Sequence, residues 1–137
     1  MSKPNFEAID DLAELGNGLM DEADYAGAIT KFSEALLLVP DPRRDWEAAT
    51  WLYASIGDAF YQSGEHAKAL DNFVEAYNCP GGLENPFVLL RLGQCYHHFN
   101  EEKNTLEYLL RAYMLEGENI FEEAPSYLRY LSSKVSL

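Results

Sequence analysis

The chain has 137 residues, enough for one domain with a real core, and its 47% apolar and 13% aromatic residues are typical of a globular protein. Twenty-three acidic residues against ten basic ones give a formal net charge of −13, which argues against binding to nucleic acid or to an anionic membrane surface, since both are held through Lys and Arg. The same charge would either steer a basic partner protein toward the chain or only keep the chain in solution, and both interpretations stay open.

The N-terminal residues 1–7 lack the apolar core of a secretory signal, and acidic residues follow them. No segment approaches the ~20 apolar residues that a membrane span requires. Cys79 and Cys95 form no CxxC pair and are too few for a disulfide framework. We therefore expect a cytoplasmic protein with reduced thiols.

The first predicted helix pair covers residues 6–21 and 25–39, and its leading helix is strongly acidic. Residues 5–24 contain seven acidic side chains and no basic one. Apolar residues recur at i, i+3, i+4 and i+7 in both segments, which places them on one helical face. The positions are Leu12-x-x-Leu15-Gly16-x-x-Leu19, then Ala28-x-x-x-Phe32-x-x-Ala35, and then Pro40, which ends the pair.

The second predicted pair covers residues 43–63 and 66–78, and it repeats the same spacing. Gly57 follows Gly16 by 41 residues, whereas the next helical glycine follows after 36, so the linker near Pro42–Glu47 carries extra residues. Their length equals about two helical turns, and Asp41-Pro42 is typical of a helix start, so we expect an extended leading helix. Cys79-Pro80-Gly81-Gly82 is a helix stop. The motif is Tyr53-x-x-Ile56-Gly57-x-x-Phe60, then Ala69-x-x-x-Phe73-x-x-Ala76.

The third predicted pair covers residues 86–99 and 102–115. Asn85-Pro86 predicts its start, because Asn caps helix N-termini and Pro suits the first turn. After Gly117 comes a short amphipathic segment at 124–133, which we expect to cover the end of the array. The motif is Leu89-x-x-Leu92-Gly93-x-x-Tyr96, then Thr105-x-x-x-Leu109-x-x-Ala112.

One glycine occupies the same place in each leading helix, twelve residues before the first small residue of the trailing helix. Glycine inside a helix costs about 1 kcal/mol relative to alanine, so a compensating contact is expected. We predict that Ala28, Ala69 and Thr105 approach these glycines closely. Large side chains are then expected to fill the space between neighbouring pairs, namely Leu19, Phe60, Tyr96, Phe32, Phe73 and Leu109.

Three motifs in identical register resemble the tetratricopeptide repeat, whose signature is W-x-x-L-G-x-x-Y, then A-x-x-x-F, then P over about 34 residues. No repeat has the leading Trp, Thr105 and Leu109 replace Ala and Phe, and only Pro40 ends a repeat at the usual point. The resemblance covers residues 9–117 and implies an all-α fold, a superhelical stack of three helix-turn-helix pairs with a C-terminal capping helix. The whole chain would be a single domain, 1–137, with repeats at about 9–40, 43–82 and 86–117 and the capping helix at about 124–133.

The leading helices of such a stack line a concave face, and residues that internal packing does not use point into it. Trp51, Tyr61 and Phe87 are aromatic at such positions, and Trp, Tyr and Arg are frequent binding hot spots. The alternative is that the extended helix or the capping helix covers these rings as core. The predicted partner-binding residues are Asp10, Asn17, Asp21, Trp51, Asp58, Tyr61, Phe87, Arg91, Gln94 and His98, with Ala13 and Ala54 on the same face.

Some cochaperones of this family grip the acidic C-terminal tails of heat-shock chaperones with a clamp of lysines, asparagines and an arginine. Asn17 and Arg91 match that pattern. Ala13, Ser55 and Phe87 stand where two lysines and an asparagine would be needed. Because of these differences and the acidic charge, we do not expect an acidic peptide ligand.

No residue pattern predicts catalysis, a metal or a cofactor. His97 and His98 are consecutive and would point about 100° apart on a helix, so they cannot chelate one ion together. His66 lies in a turn, and the sequence has no HExxH motif, no Cys/His zinc spacing and no Gly-rich phosphate loop. We therefore expect a non-enzymatic protein with no catalytic residue, no metal and no cofactor.

The sequence favours binding to another protein, and a basic one, as the function. Segments 85–95, 110–114 and 120–122 resemble small bacterial tetratricopeptide proteins associated with polymorphic toxin systems, some of which act as immunity factors. That resemblance implies a protein that sequesters or neutralises a cognate toxin. The alternatives are a scaffold, adaptor or chaperone that holds a partner's helix or extended segment in the groove, and a self-associating repeat module. The oligomeric state stays open.

Overall fold

The computed structural model describes residues 5–137, and within that range it contains α-helices, short 3-10 helices and no strand. The predicted all-α fold is confirmed. Residues 1–4, which carry part of the signal-segment prediction and the start of the 1–137 domain, lie outside the described residues. The α-helices are α1 (Phe6–Asp21), α2 (Tyr25–Leu37), α3 (Glu47–Gln62), α4 (His66–Tyr77), α5 (Pro86–His98), α6 (Glu102–Glu116) and α7 (Pro125–Lys134). The 3-10 helices are Arg43–Asp45, Gly82–Glu84 and Gly117–Phe121.

The helices stack in chain order. α1 packs against α2, α3 against α4 and α5 against α6, and the contacts of α2 with α3 and of α4 with α5 join these pairs. The buried side chains form three clusters, each of which combines one helix pair with the next leading helix or with α7. Each pair therefore needs its neighbour to bury its apolar face, as in other repeat arrays.

The helical glycines make room for large side chains of their own pair. A Cβ atom added at Gly16 would lie 2.5 Å from Phe32 Cε1, and one at Gly93 would lie 2.6 Å from Leu109 Cδ2. The second pair repeats the arrangement at 3.0 Å, with a phenylalanine ring as the neighbour. The nearest neighbours of the glycines are therefore large side chains of the trailing helix, because the missing Cβ admits a ring or a leucine. The close approach of Ala28, Ala69 and Thr105 stays a prediction, and all three are fully buried.

The leading helix of the second pair is not extended, which corrects the prediction for residues 43–63. α3 begins only at Glu47, because Trp46 has an extended backbone (φ −112°, ψ 132°). The Trp46 N–H donates to the carbonyl of Arg43 (3.1 Å) and closes a separate 3-10 helix. Pro42 precedes that short helix without a side-chain cap, so Asp41-Pro42 starts a turn and not α3.

The extra linker residues bring an indole ring to the start of α1. The Trp46 ring packs edge-on against Phe6, with centroids 6.1 Å apart. It also contacts the first core cluster while staying half-buried. The turn thus places the indole against the start of α1.

Polar caps and a glycine turn set the helix ends. Asn85 Oδ1 accepts hydrogen bonds from the N–H groups of Phe87 (3.0 Å) and Val88 (3.2 Å), which is the cap that the Asn-Pro pair predicted. α4 ends at Tyr77, and Gly81 then turns the chain with φ +75°, a conformation that glycine adopts without strain.

The C-terminal helix α7 lies at Pro125–Lys134, within one residue of the predicted capping segment. It packs against α6 and against the preceding 3-10 helix. Leu131 (0% exposed) and Phe121 (1% exposed) join Leu89 and Leu109 in the third cluster. α7 therefore covers the apolar end of the stack. Within residues 5–137, no helix combines the length and the apolar character that crossing a bilayer requires.

Candidate binding groove

Three cavities are lined mainly by residues of the leading helices α1, α3 and α5, and together we call them the groove. The main cavity has a volume of about 710 Å³ and lies between α3, α5 and residues 119–129. The middle cavity, of about 210 Å³, lies between α1 and α3. The N-terminal cavity, of about 340 Å³, lies where α1 and α3 begin.

Nine of the ten predicted partner-binding residues line these cavities. The main cavity is lined by Tyr61, Phe87, Arg91 and Gln94. The middle cavity is lined by Asn17, Asp21 and Asp58. The N-terminal cavity is lined by Asp10 and Trp51.

Arg91 lines the main cavity, and both of its Nη atoms already have hydrogen-bond partners. Its Nη2 donates to Asp58 Oδ1 (3.0 Å) and its Nη1 donates to Gln94 Oε1 (2.7 Å). The guanidinium carbon lies 4.4 Å from the Tyr61 ring centroid and 5.0 Å from that of Phe87. The side chain is only 15% exposed. An acidic ligand would therefore have to displace Asp58 before it could pair with this arginine.

Tyr61 connects α3 with the C-terminal segment. Burial, and then the neighbouring Tyr127 hydroxyl, raises the pKa of the Tyr61 phenol above its usual range. The His66 ring meets the Tyr61 ring edge-on, with centroids 5.4 Å apart. The phenol therefore stays neutral at physiological pH and offers the main cavity a hydrogen-bonding group on an apolar ring.

The α1 side of the groove has the opposite character, because it is open and carries unpaired acid. Asp10, Asn17 and Asp21 are all exposed on α1. Among residues 5–137, neither Asp10 nor Asp21 forms an ion pair. Trp51 on α3 is 37% exposed. The groove therefore combines an aromatic end, where Arg91 is paired and Glu122, Glu123 and Arg129 are exposed, with an acidic end on α1.

The three aromatic residues of the groove differ in how far they are covered. Tyr61 and Phe87 are half-buried beside residues 119–129, and Phe87 also packs edge-on against Phe73 with centroids 6.0 Å apart. Trp51 stays exposed. The alternative that the rings belong to the core thus applies in part to Tyr61 and Phe87, and it does not apply to Trp51.

Four residues depart from the predicted placement. His98 does not line the groove; its ring stacks on His66 with centroids 3.7 Å apart, beside a separate cavity at the end of α5. Gln94 lines the main cavity, but it is only 2% exposed and its Oε1 accepts from Arg91, so it offers a partner little free surface. Ala13 and Ala54 are buried in the first and second core clusters, because their small side chains lie where neighbouring helices meet.

Sequence reasoning missed part of the lining. Ile120 and Tyr127 close one wall of the main cavity, although residues 124–133 were expected only to cap the stack. Phe6 and Trp46 line the N-terminal cavity beside Trp51. The sequence does contain a signal for this part of the lining. The chain's only two tryptophans lie five residues apart, at the linker between the first and second pairs, which is longer than the linker between the second and third.

The two cysteines and the histidines form no reactive or metal-binding group in the described part of the chain. Cys79 and Cys95 are free and buried. Burial raises the pKa of both thiols, that of Cys95 to about 12, so both stay protonated at physiological pH. No group of three or more His, Cys, Asp or Glu side chains within residues 5–137 is arranged to hold a metal ion.

No protein-family model matches the chain, and no curated protein matches it in sequence. Solved structures do match it. The Arabidopsis OM64 TPR domain superposes with a TM-score of 0.77 at 20% identity, over 96% of this chain and 99% of that one. The first TPR of Spaghetti (RPAP3), bound to the HSP90 peptide SRMEEVD, gives 0.76 at 20% identity, over 93% and 92%.

A third match has a bound peptide of a different kind. It is the Yersinia enterocolitica type III secretion chaperone SycD in complex with a peptide of the translocator YopD, with a TM-score of 0.74 at 16% identity, over 93% of this chain and 92% of that one. At such identities the likeness shows the fold alone. The chain thus has the tetratricopeptide-repeat fold, a superhelical stack of three helix-turn-helix pairs with a C-terminal capping helix.

Proposed function

We propose that this chain is a non-enzymatic protein-binding module that holds a segment of a basic partner protein in its groove. The observation that carries the proposal is the charge of the groove. Asp10 and Asp21 are exposed without an ion pair in the described chain, whereas Arg91 is neutralised by Asp58. A basic segment would gain from this field both in the rate of encounter and in specificity.

An acidic peptide is disfavoured by the same geometry. The Spaghetti repeat domain was solved with the peptide SRMEEVD, which contains two glutamates and a terminal aspartate. The main cavity of the present chain is lined by Arg91, which already donates to Asp58 and Gln94, and by Arg129, which shares that lining with Glu122 and Glu123. Replacing these bonds by bonds to a ligand carboxylate would leave Asp58 with only the longer hydrogen bond from Gln62 Nε2 (3.4 Å) and would place two carboxylates beside one arginine.

The finer form of the proposal is an immunity protein that neutralises a basic toxin. It is supported by the net charge of −13 in only 137 residues and by the resemblance of the third repeat to proteins of polymorphic toxin systems. Such a role needs fast and tight binding, which charge complementarity favours. The partner in this form is a folded protein, and the complex has fixed stoichiometry.

An adaptor or chaperone is the second candidate, and the length of the groove favours it. The three cavities are distributed from the start of α1 to residues 119–129, and this suits an extended segment or a helix better than a flat protein surface. SycD was solved with a peptide of its translocator. In this form the partner is unfolded when bound, which hydrogen exchange on the purified complex distinguishes from the immunity form.

Affinity capture at low salt, followed by reconstitution with the purified partner, tests the proposal. The expected result is a basic partner whose Kd rises about ten-fold over a few-fold rise in salt, because exposed charges are screened. Calorimetry at several salt concentrations measures this. A partner that is acidic, or whose Kd does not change with salt, would contradict the proposal.

A further inference from the structure

We infer that the N-terminal cavity is a specific site for an arginine side chain of the basic segment that the proposed function requires. We call this site the tryptophan corner, and it consists of Phe6, Asp10, Trp46, Glu47, Ala48 and Trp51. The inference rests on the proposed function, and it adds the chemistry of the bound residue and the place where that residue binds.

Each of the two helices in the corner contributes one aromatic ring and one carboxylate. Phe6 and Asp10 are four residues apart on α1, and Glu47 and Trp51 are four residues apart on α3. Residues at that spacing are neighbours on one helix face. The linker adds the Trp46 ring, edge-on to Phe6 at 6.1 Å. Aromatic faces and carboxylates therefore surround one cavity of about 340 Å³.

Elsewhere in the described chain, aromatic rings are in contact with basic side chains. Among residues 5–137, four basic side chains lie over aromatic rings, at 4.4–5.9 Å from the ring centroids. They are Lys68, Arg91, Arg111 and Lys134. In the described chain no basic side chain lies over Phe6, Trp46 or Trp51. Tryptophan is the ring that attracts cations most strongly, so both tryptophans stand where a cation from outside the described chain can lie.

The carboxylates of the corner are also without a resident partner. Neither Asp10 nor Glu47 forms an ion pair within residues 5–137, and both are exposed. Trp51 is 37% exposed and Phe6 is 45% exposed, so a ligand can reach both. A guanidinium group stacks flat on an indole and donates in the plane to carboxylates, whereas an ammonium group is a strongly hydrated point charge. The corner therefore favours arginine over lysine.

The probe for this site is a blocked hexa-arginine peptide, with hexa-lysine as the comparison of equal charge. The two tryptophans of the corner are the only ones in the chain, so intrinsic tryptophan fluorescence reports on this site directly. We expect a saturable fluorescence change, with hexa-arginine binding about five-fold more tightly than hexa-lysine. Anisotropy of labelled peptide measures total binding independently.

Matched variants separate the corner from general attraction to an acidic protein. D10N/E47Q should raise the Kd of hexa-arginine about ten-fold. D71N/E107Q removes the same charge from two exposed residues outside the groove and should change the Kd by less than about three-fold. Trp51→Leu keeps an apolar side chain and should abolish the preference for arginine, with circular dichroism as the check on folding.

Two results would overturn the inference: equal effects of the two double variants, or anisotropy that saturates without any change in tryptophan fluorescence. Neither result would refute the proposed function if a native partner were still captured and Phe87→Ala weakened its binding. Conversely, a native partner that is insensitive to both Trp51→Ala and Phe87→Ala would refute the proposed function, even if hexa-arginine bound in the corner.

Discussion

Arg91 shows which properties of a binding residue can be predicted from sequence and which cannot. Its position on the groove side of α5 followed from helical spacing alone. Its pairing with Asp58, 33 residues earlier, did not. Which of the chain's acids approaches this arginine depends on how the third pair packs on the second, and that packing is a tertiary property. The sequence therefore predicted the location of Arg91, and the structure adds that its charge is already neutralised.

Replacing Asp58 by alanine should lower the free energy of unfolding by about 1–3 kcal/mol, because Arg91 would keep its burial and lose its carboxylate. Glu75→Ala is the matched control. It breaks the Arg44–Glu75 pair, whose side chains are 58% and 36% exposed, and an exposed pair contributes under about 1 kcal/mol. Urea unfolding of both variants measures the difference, and equal losses would refute the structural role of Asp58.

Trp51→Ala should weaken binding of the native partner by about 2 kcal/mol or more, since exposed aromatic anchors dominate binding energies. Phe87→Ala should weaken it by a similar amount. It should also reduce stability more than Trp51→Ala does, because the Phe87 ring contacts Phe73 and Arg91. Calorimetry and thermal unfolding of both variants check this. A large loss of stability in Trp51→Ala would assign that ring to the core.

At the scale of elements, regular spacing predicted the helices and failed at the linker. Seven positions recur in every pair with the same spacing, and they were enough to place α1 to α6. In the first pair they read Leu-x-x-Leu-Gly-x-x-Leu and then Ala-x-x-x-Phe-x-x-Ala. The residues before Glu47 had helical length but no helical periodicity. In the structure Trp46 packs against Phe6, 40 residues earlier, and no local pattern encodes such a contact.

Two glycines of α1 provide a test of the packing within a pair. Gly16→Ala should destabilise the fold by about 1–3 kcal/mol, because its Cβ would overlap the Phe32 ring. Gly18→Ala should stabilise it by about 0.5–1 kcal/mol, since no atom lies within 4 Å of that Cβ and alanine is the better helix former. Both changes add one methyl group to the same helix. Chemical denaturation that ranks them in the opposite order would contradict the packing described.

On the scale of the whole molecule, burial of ionisable groups predicts a loss of stability in alkali. The Cys95 thiol, whose ordinary pKa is 9.0, has its pKa raised to about 12 by burial. Between these pH values the native state holds a proton that the unfolded chain has released, so the free energy of unfolding falls as pH rises. Cys95→Ala should make this fall shallower, by up to about 1.4 kcal/mol per pH unit. Urea unfolding from pH 7 to pH 11 measures the slope, and an unchanged slope in the variant would contradict the assignment.

The linker between the first and second pairs contributes a ring to the tryptophan corner, whereas the helix pairs provide the scaffold. The helix pairs are held mainly by the packing of each leading helix on its own trailing helix and by the stacking of neighbours, and Trp46 is the residue of the 40–46 segment that also packs against the first core cluster. Surface connections of this kind accept changes in length and composition at little cost in stability. We therefore expect the sequences of related proteins to diverge most in this short segment. Substitutions in one turn would then change the binding partner while the repeats keep their sequence.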